Sequence, residues 1–333
     1  MAYIQADVQR GNFDAIFHVG DFAYDMDSHD AKVGDEFMRM LEPVAAYVPY
    51  MTCPGNHEQA YNFSNYVNRF SMPGGSNLSL FYSFNIGPAH VIALSTEFYF
   101  YLNYGWQSVI TQWNWLIEDL KEANKPENRQ VRPWIITMGH RPMYCTNNDR
   151  DDCTKGESVI RRGLPFLHLC GLEDMFVEYG VDFEIWAHEH SYERLWPVYD
   201  MKVKNGTSRA DNPYVNPHAP LHITTGSAGC QEDTDGFMSD PPAWSAFRSS
   251  DYGFSSMTIH NKTHIHIEQF SVNQDKIIDD VWLVKEKTYP SYYGAIKRQF
   301  TEPVLSSNDH EGVQLRMTAA RASASNLELC QLD

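Results

Sequence analysis

The sequence predicts an α/β fold with a β-rich second half, and three observations support this prediction. Short apolar runs at residues 14–19, 50–53 and 133–138 have the length of buried strands, and each leads into a polar turn that contains glycine. Residues 107–123 instead place their apolar side chains at the spacing of one helical face. After residue 195, shorter strand-like runs are separated by turns rich in Gly, Pro and Asn.

The individual elements follow from the same two periodicities, taken in chain order. Helices are expected at residues 3–11, 37–48, 107–123 and 157–179. Strands are expected at residues 14–19, 50–53, 81–86, 91–94, 133–138, 181–186, 195–199, 221–225, 256–260, 264–270 and 281–284. The last helical segment contains Gly163 and Pro165, so we expect it to break near them.

Charge and hydropathy argue against two classes of partner. The 333 residues carry a formal net charge of -17 with a pI near 5.2, which disfavours binding to nucleic acid or to an anionic membrane surface. No run approaches the roughly 20 apolar residues that a membrane span requires. An anionic substrate would need positive charge concentrated at one place, and bound metal ions can supply that charge.

Cysteines and glycosylation sequons favour a protein of the secretory pathway. Of the six cysteines, Cys145 and Cys153 flank a short polar loop and are expected to form a local disulfide. Asn-x-Ser/Thr sequons occur at Asn62, Asn77, Asn205 and Asn261. These features favour a secreted or lysosomal relative, although the N-terminal segment lacks the basic and apolar regions of a signal peptide.

Four strand-end turns carry side chains that can bind metals. In chain order the turns offer Asp21 with Tyr24, Asn56 with His57, then His140, and finally His188 with His190. Because ligands gather at the carboxyl ends of strands in open α/β sheets, we expect these turns to meet. Carboxylate, amide, imidazole and phenolate donors suit iron, zinc or manganese, and the cysteine spacing resembles no zinc ribbon. The acidic residues Asp149, Asp151 and Asp152 are interpreted instead as a solvated loop.

The four turns resemble the ligand motifs of purple acid phosphatases, within the calcineurin-like metallophosphoesterase superfamily. The matching motifs are Gly-Asp-x-x-Tyr at residues 20–24, Gly-Asn-His-Glu at residues 55–58, the His140 block at residues 139–144, and His-x-His at residues 188–190. They cover four of the family's five ligand blocks over about residues 15–285. The resemblance implies a four-layer sandwich of two mixed β-sheets flanked by helices. Residues 1–285 would form the catalytic domain and residues 286–333 a divergent, loosely packed tail.

The resemblance also implies two metal sites. Asp21 would bridge the two ions, and Tyr24 and His190 would bind Fe(3+) at the first site. The second site, for Zn(2+), Fe(2+) or Mn(2+), would take its ligands from Asn56, His140 and His188. Two metal ions can clamp a phosphoryl group and activate water, so the implied activity is acid phosphatase hydrolysis of a small phosphomonoester.

His57 is the implied catalytic residue. Next to the Asn56 ligand, it would contact the phosphate together with Asn56 and stabilise the transition state or protonate the leaving oxygen. A structural alternative is an orienting hydrogen bond to a carboxylate such as Glu58. Nothing in the sequence specifies the oligomeric state.

The sequence departs from the family pattern upstream of Asp21. The family's first block, Asp-x-Gly at the end of the first sheet strand, has no counterpart in residues 1–20. We therefore expect an N-terminally truncated chain that lacks the first strand and one ligand of the ferric site. One alternative is a catalytically impaired isoform, and another is a metal-dependent phosphodiesterase, which fits Tyr24 less well.

Overall fold

The computed structural model of the protein describes residues 1–74, 79–164, 169–206, 214–229 and 231–286. The helices are α1 (Ala2–Gln9), α2 (Lys32–Ala45), α3 (Ala60–Val67), α4 (Gln107–Ala123), α5 (Pro126–Val131), α6 (Val159–Arg162) and α7 (Leu172–Glu178). The strands are β1 (Ile16–Val19), β2 (Tyr50–Cys53), β3 (Tyr82–Ile86), β4 (Ala89–Ala93), β5 (Trp134–Met138), β6 (Phe183–Trp186), β7 (Tyr192–Leu195), β8 (Val198–Tyr199), β9 (Lys202–Val203), β10 (Leu221–Thr225), β11 (Ser245–Ser249), β12 (Gly253–Ile259), β13 (His264–Ser271) and β14 (Lys276–Val284).

A mixed seven-stranded sheet forms the centre of the fold. Its order is β11-β7-β10-β6-β5-β4-β3. Strands β4, β5, β6 and β10 are parallel, whereas β3, β7 and β11 run antiparallel to their neighbours. The parallel pair β1 and β2 forms a second sheet, and β12, β13 and β14 form an antiparallel meander. The predicted α/β class is confirmed.

The central sheet is covered on both faces because its buried strands are apolar on both sides. Ile135 of β5 belongs to an apolar cluster that includes Leu116 of α4. The next residue, Ile136, belongs to a second cluster that includes Ile267 of β13 and Val19 of β1. Helices therefore pack on one face, and the meander with the β1-β2 pair packs on the other.

Helix α4 has the bounds that the sequence predicts, residues 107–123. Its buried face contains Val109, Trp113, Leu116, Ile117 and Leu120. Because these positions are three or four residues apart, they form a single stripe along the helix that packs on the sheet. Among the described residues, no helix is both long enough and apolar enough to span a membrane.

Some predicted elements differ in the structure. The expected helix at residues 157–179 is divided into α6 and α7, and α6 ends at Gly163, whose φ is +90°. A Cβ atom there would collide with the carbonyl of Leu169, so only glycine fits. Strands β7, β9 and β11 and helices α3 and α5 were not expected, and the strand expected at residues 195–199 is interrupted between β7 and β8. The tail beyond Glu286 and the Asn77 sequon lie outside the described residues.

The features expected of a secretory protein can be located in the structure. Cys145 and Cys153 form the predicted disulfide. The side chains of Asn62, Asn205 and Asn261 are exposed. These three asparagines are therefore accessible to solvent.

The carboxyl ends of β5 and β6 lie together, as their parallel pairing requires, and the end of β1 in the other sheet lies next to them. Past the ends of β5 and β6, the Gly139 N–H donates to the Ile185 carbonyl at 3.1 Å, and the Ala187 N–H donates to the His140 carbonyl at 2.8 Å. His140 also contacts the Val19 carbonyl at the end of β1, with Nδ1 at 2.8 Å. The polar turns after these strands are thereby brought to one place.

We expect truncation of Leu116 to destabilise the fold. Leu116 is fully buried between α4 and the sheet, so Leu116→Ala removes apolar contacts and leaves a cavity. The free energy of unfolding should fall by about 2–5 kcal/mol in denaturant titration. Met40→Ala, at a side chain that is 61% exposed, is the control and should change it by less than about 0.5 kcal/mol. Equal losses in the two variants would contradict this packing.

Candidate metal centre

Two glycines allow the turn after β1 to touch the turn after β2. At Gly20, whose φ is +86°, a Cβ atom would lie 2.5 Å from His140 Nδ1 and 2.7 Å from Gly55 Cα. At Gly55, a Cβ atom would collide with Asp21 Oδ1 and lie 2.6 Å from the Asp21 main-chain nitrogen. A larger residue at either position would push the turns apart.

Glu58 joins the same two turns through its carboxylate. Oε2 accepts the main-chain N–H groups of Asp21 at 2.7 Å and Gly55 at 2.8 Å, and Oε1 accepts that of Phe22 at 3.0 Å. The side chain is only 1% exposed. Burial and the charge of Asp21 raise the pKa of Glu58 to about 7. Glu58 therefore holds the turns in register without facing solvent.

Four side chains converge at the ends of these strands. His140 Nε2 lies 3.0 Å from Asp21 Oδ2, 3.0 Å from Asn56 Oδ1 and 3.2 Å from His188 Nδ1. One ligand atom each from Asp21, His140 and His188 lies within 4.8 Å of the other two. The structure thus brings together the aspartate, the asparagine and two of the histidines that the sequence singled out.

Hydrogen bonds determine which atom His140 presents to this cluster. The Val19 carbonyl can only accept, so His140 Nδ1 carries a proton and Nε2 is the ring atom that faces Asp21 and Asn56. Burial lowers the pKa of His140, but the Asp21 carboxylate, together with Glu97 and the Val19 carbonyl, outweighs burial and raises that pKa to about 9. Lone pairs aimed at one another require a proton or a cation between them, and a bound cation would replace that proton.

His188 is oriented by groups outside the strand-end motifs. Its Nε2 lies 2.6 Å from Asp151 Oδ2 and 2.9 Å from Arg141 Nη1. Arg141 Nε in turn donates to both carboxylate oxygens of Glu97 at 3.1 Å. Arg141 can only donate and the Asp151 carboxylate can only accept, so Nε2 cannot satisfy both. The shorter contact, to Asp151, places the proton on Nε2, and Nδ1 then faces His140. Asp151, whose side chain is 44% exposed, lies in the expected solvated loop and in addition orients His188.

Tyr24 and His190 form a second, separate group of candidate metal ligands. The Tyr24 hydroxyl lies 2.7 Å from His190 Nε2. His190 Nδ1 lies 3.2 Å from the Asp233 carbonyl, so the proton is on Nδ1 and the Nε2 lone pair faces Tyr24. The main-chain N–H of His190 donates to Asp235 Oδ2 at 2.5 Å. A phenol oxygen and an imidazole nitrogen are thus held ready for a cation.

His57 lies between the two groups of donors. Its main-chain N–H donates to Asp21 Oδ1 at 3.1 Å, and its ring packs on Tyr24 with centroids 4.4 Å apart. Its Nδ1 lies 3.1 Å from Asp25 Oδ1, and the side chain is 20% exposed. The carboxylate that orients His57 is therefore Asp25, and the suggested partner Glu58 was wrong. The other ring nitrogen is left to face a bound molecule.

The sequence did not indicate the groups that orient the candidate ligands. Those groups are the Val19 and Asp233 carbonyls and the side chains of Asp25, Asp151 and Asp235. A carbonyl carries no side-chain signal, and three acidic residues in polar loops look like ordinary surface positions. Only the short distance of Asp25 from Tyr24 along the chain could have pointed to it.

The fold and the convergent donors define a metallophosphoesterase. The chain belongs to the calcineurin-like phosphoesterases, because the model of that family matches residues 2–192. A second family model, described as iron/zinc purple acid phosphatase-like protein C, matches residues 219–280. The resemblance to purple acid phosphatases that the motifs suggested is confirmed.

Two similar proteins carry the name acid phosphatase type 7. The one from Danio rerio is 57% identical over 294 residues, which is 87% of this chain and 66% of that protein. The one from Homo sapiens is 59% identical over 283 residues, which is 85% of this chain and 63% of that protein. This chain thus spans slightly less than two thirds of the length of these relatives.

A solved structure supports the fold independently. The purple acid phosphatase from yellow lupin (Lupinus luteus) seeds superposes with a TM-score of 0.67 and 22% identity. The match covers 85% of this chain and 48% of that chain. At this identity the likeness shows the fold, and it confirms the metallophosphoesterase architecture that the motifs implied.

Substitution of Gly55 is expected to separate the two turns. In Gly55→Ala the new methyl group collides with Asp21, so thermal unfolding should show a loss of about 1–3 kcal/mol, with weaker zinc binding. Gly156→Ala is the matched control, because a Cβ atom there meets nothing within 4 Å. Unchanged stability and zinc affinity in Gly55→Ala would contradict the close approach.

Proposed function

We propose that this chain is an acid phosphatase that hydrolyses phosphomonoesters with two bound metal ions. The observation that carries the proposal is the convergence of Asp21, Asn56 and His188 on His140 Nε2, beside the Tyr24–His190 pair. Family membership supports the reaction class, and the names of the acid phosphatase relatives support the substrate class.

The donors in these two groups fit the implied metals. One ion would be held by Asp21, Asn56, His140 and His188. Imidazole with carboxylate and amide oxygen suits Zn(2+), Fe(2+) or Mn(2+). The other ion would be held by Tyr24 and His190, with Asp21 as the bridge. A phenolate favours Fe(3+), the harder ion, so this assignment follows the chemistry of the donors.

The bound ions would neutralise the phosphoryl oxygens and acidify the attacking water. The chain itself must accommodate an anion against a net charge of -17, so the substrate has to bind where cations are concentrated. Asn56 and His57 lie at that place and would contact the phosphate. Asp25 fixes one ring nitrogen of His57 and leaves the other to hand a proton to the leaving oxygen.

The first site has fewer donors than the second. Asp21, Tyr24 and His190 supply three side chains to the first site, whereas four side chains converge at the second. The main alternative is therefore an impaired enzyme that binds Fe(3+) weakly, and metal content distinguishes it from a fully active two-metal enzyme. A phosphodiesterase is a further alternative, and Tyr24 is the residue that argues against it.

Secretion or lysosomal delivery is part of the proposal. The asparagines of the sequons at Asn62, Asn205 and Asn261 are exposed, as glycosylation requires. The disulfide between Cys145 and Cys153 suits an oxidising compartment. We propose that all three asparagines carry glycans.

Metal content and the visible spectrum test the two sites separately. The protein as proposed binds two metal ions per chain, absorbs visible light through Tyr24 and Fe(3+), and hydrolyses a chromogenic phosphomonoester in acid. Tyr24→Phe should remove the colour and keep the second ion. His188→Ala should lose the second ion and reduce hydrolysis by about 100-fold or more.

His260→Ala, at a solvent-exposed histidine of the meander, is the matched control and should change none of the three readouts. A colourless protein with one ion and weak hydrolysis would support the impaired alternative. Faster hydrolysis of a phosphodiester than of a monoester would support the phosphodiesterase. Full activity in His188→Ala would overturn the proposed centre.

His57→Ala should slow hydrolysis without removing metal. Because His57 contacts Asp21 through its main chain, the side chain can be removed while the ligand stays in place. We expect kcat to fall by about 10²–10⁴-fold with two ions still bound. Asp25→Asn, which keeps the ring but weakens its orientation, should give a smaller loss. Loss of metal in His57→Ala would mean that the residue has only a structural role.

A further inference from the structure

Glu189, between the two histidines of the His-x-His turn, belongs to a separate group of oxygen donors. One carboxylate oxygen each from Asp149, Glu189 and Asp235 lies within 4.8 Å of the other two. We call these three residues the acidic cluster. They come from three segments of the chain that are far apart in sequence, so the fold assembles the cluster.

The disulfide loop carries Asp149 to this place. The Cys145–Cys153 bond closes the loop, and the loop pairs with a second segment through its main chain. The Asn148 N–H donates to the Gly236 carbonyl at 3.0 Å. Asn148 directly precedes Asp149, and Gly236 directly follows Asp235. Asp149 and Asp235 are thereby held opposite each other.

Asp235 is fixed by the His-x-His turn. Its main-chain N–H donates to the His190 carbonyl at 3.1 Å, and its Oδ2 accepts the His190 N–H at 2.5 Å. The Ser250 hydroxyl donates to the Asp235 carbonyl at 2.7 Å. These three hydrogen bonds hold Asp235 against the His-x-His turn.

Glu189 supplies the observation that points to a ligand. The residue is only 1% exposed, and its Oε2 has no hydrogen-bond partner among the described residues. Its Oε1 lies 3.1 Å from Cys153 Sγ, and a disulfide sulfur has no proton to donate. A buried carboxylate without donors, beside two more carboxylates, is costly unless a positive charge joins it.

We propose that the acidic cluster of Asp149, Glu189 and Asp235 binds one calcium ion. Calcium takes six to eight oxygen ligands in a flexible arrangement, and the exposed position of Asp149 leaves room for water to complete the set. The cluster offers carboxylate oxygens alone, which disfavours zinc. Asp151 also approaches Glu189, but its Oδ2 is already engaged by His188 at 2.6 Å.

The bound calcium ion would tie three segments together. It would link the disulfide loop and the segment around Asp235 to the turn that carries His188 and His190. The ion would therefore stabilise the backbone segment that carries His188 and His190. It takes no part in hydrolysis, and the proposal stands whether or not the chain is a phosphatase.

Thermal unfolding tests the proposal, with the full chain first freed of metal by a chelator, then dialysed free of the chelator and loaded with zinc before calcium is added. Millimolar calcium should raise the melting temperature by about 2 °C or more, with one calcium ion bound per chain by titration calorimetry. Asp149→Asn should abolish both effects. This substitution keeps an acceptor for the Asp151 N–H, which Asp149 Oδ1 now accepts at 3.1 Å, so the loop should still fold.

Asp240→Asn, at an exposed aspartate outside the cluster, is the matched control and should keep the full calcium response. No rise in the unmodified chain, or the same rise in Asp149→Asn, would overturn the proposal. Glu189→Gln gives a second readout. If it raises the melting temperature and the unmodified chain ignores calcium, the carboxylates share a proton and no calcium site exists.

Discussion

The Glu58 carboxylate is the contact on which the arrangement of the candidate centre depends. It lies away from solvent and accepts main-chain N–H groups from both strand-end turns, those of Asp21 and Phe22 on one side and Gly55 on the other. Without that acceptor three buried donors would lack partners. Gly20 and Gly55 have no side chains, which leaves space for the turn after β1 to approach the turn after β2. The Glu58 hydrogen bonds then hold the two turns together at this place.

The candidate ligands are themselves oriented by groups that do not face the cluster. The Val19 carbonyl fixes the ring of His140, and Asp151 fixes that of His188. Each of these hydrogen bonds places a proton on one ring nitrogen and leaves a lone pair on the other. The turns after β1, β5 and β6 consequently present several lone pairs to one small volume. In a chain of net charge -17, a bound cation would stabilise these acceptor atoms, which otherwise repel one another.

The sequence indicated the candidate ligands but not the groups that orient them. Asp21 and His188 could be singled out because each follows a buried strand within a short motif. The contact of Asp151 with His188 was not expected, because it spans 37 residues of the chain and depends on a disulfide loop. Strand β11 was missed for a similar reason, since all its side chains are only partly buried and show no period-two pattern. Hydrophobic periodicity indicates which residues are buried. Neither the Asp151–His188 contact nor strand β11 produces such a periodicity in the sequence.

The most direct test of the central claim is anomalous scattering from crystals of the zinc-loaded protein at the zinc absorption edge. The account predicts a peak about 2.0–2.2 Å from each of Asp21 Oδ2, Asn56 Oδ1, His140 Nε2 and His188 Nδ1. A zinc peak elsewhere, with these four side chains still bonded only to one another, would contradict it.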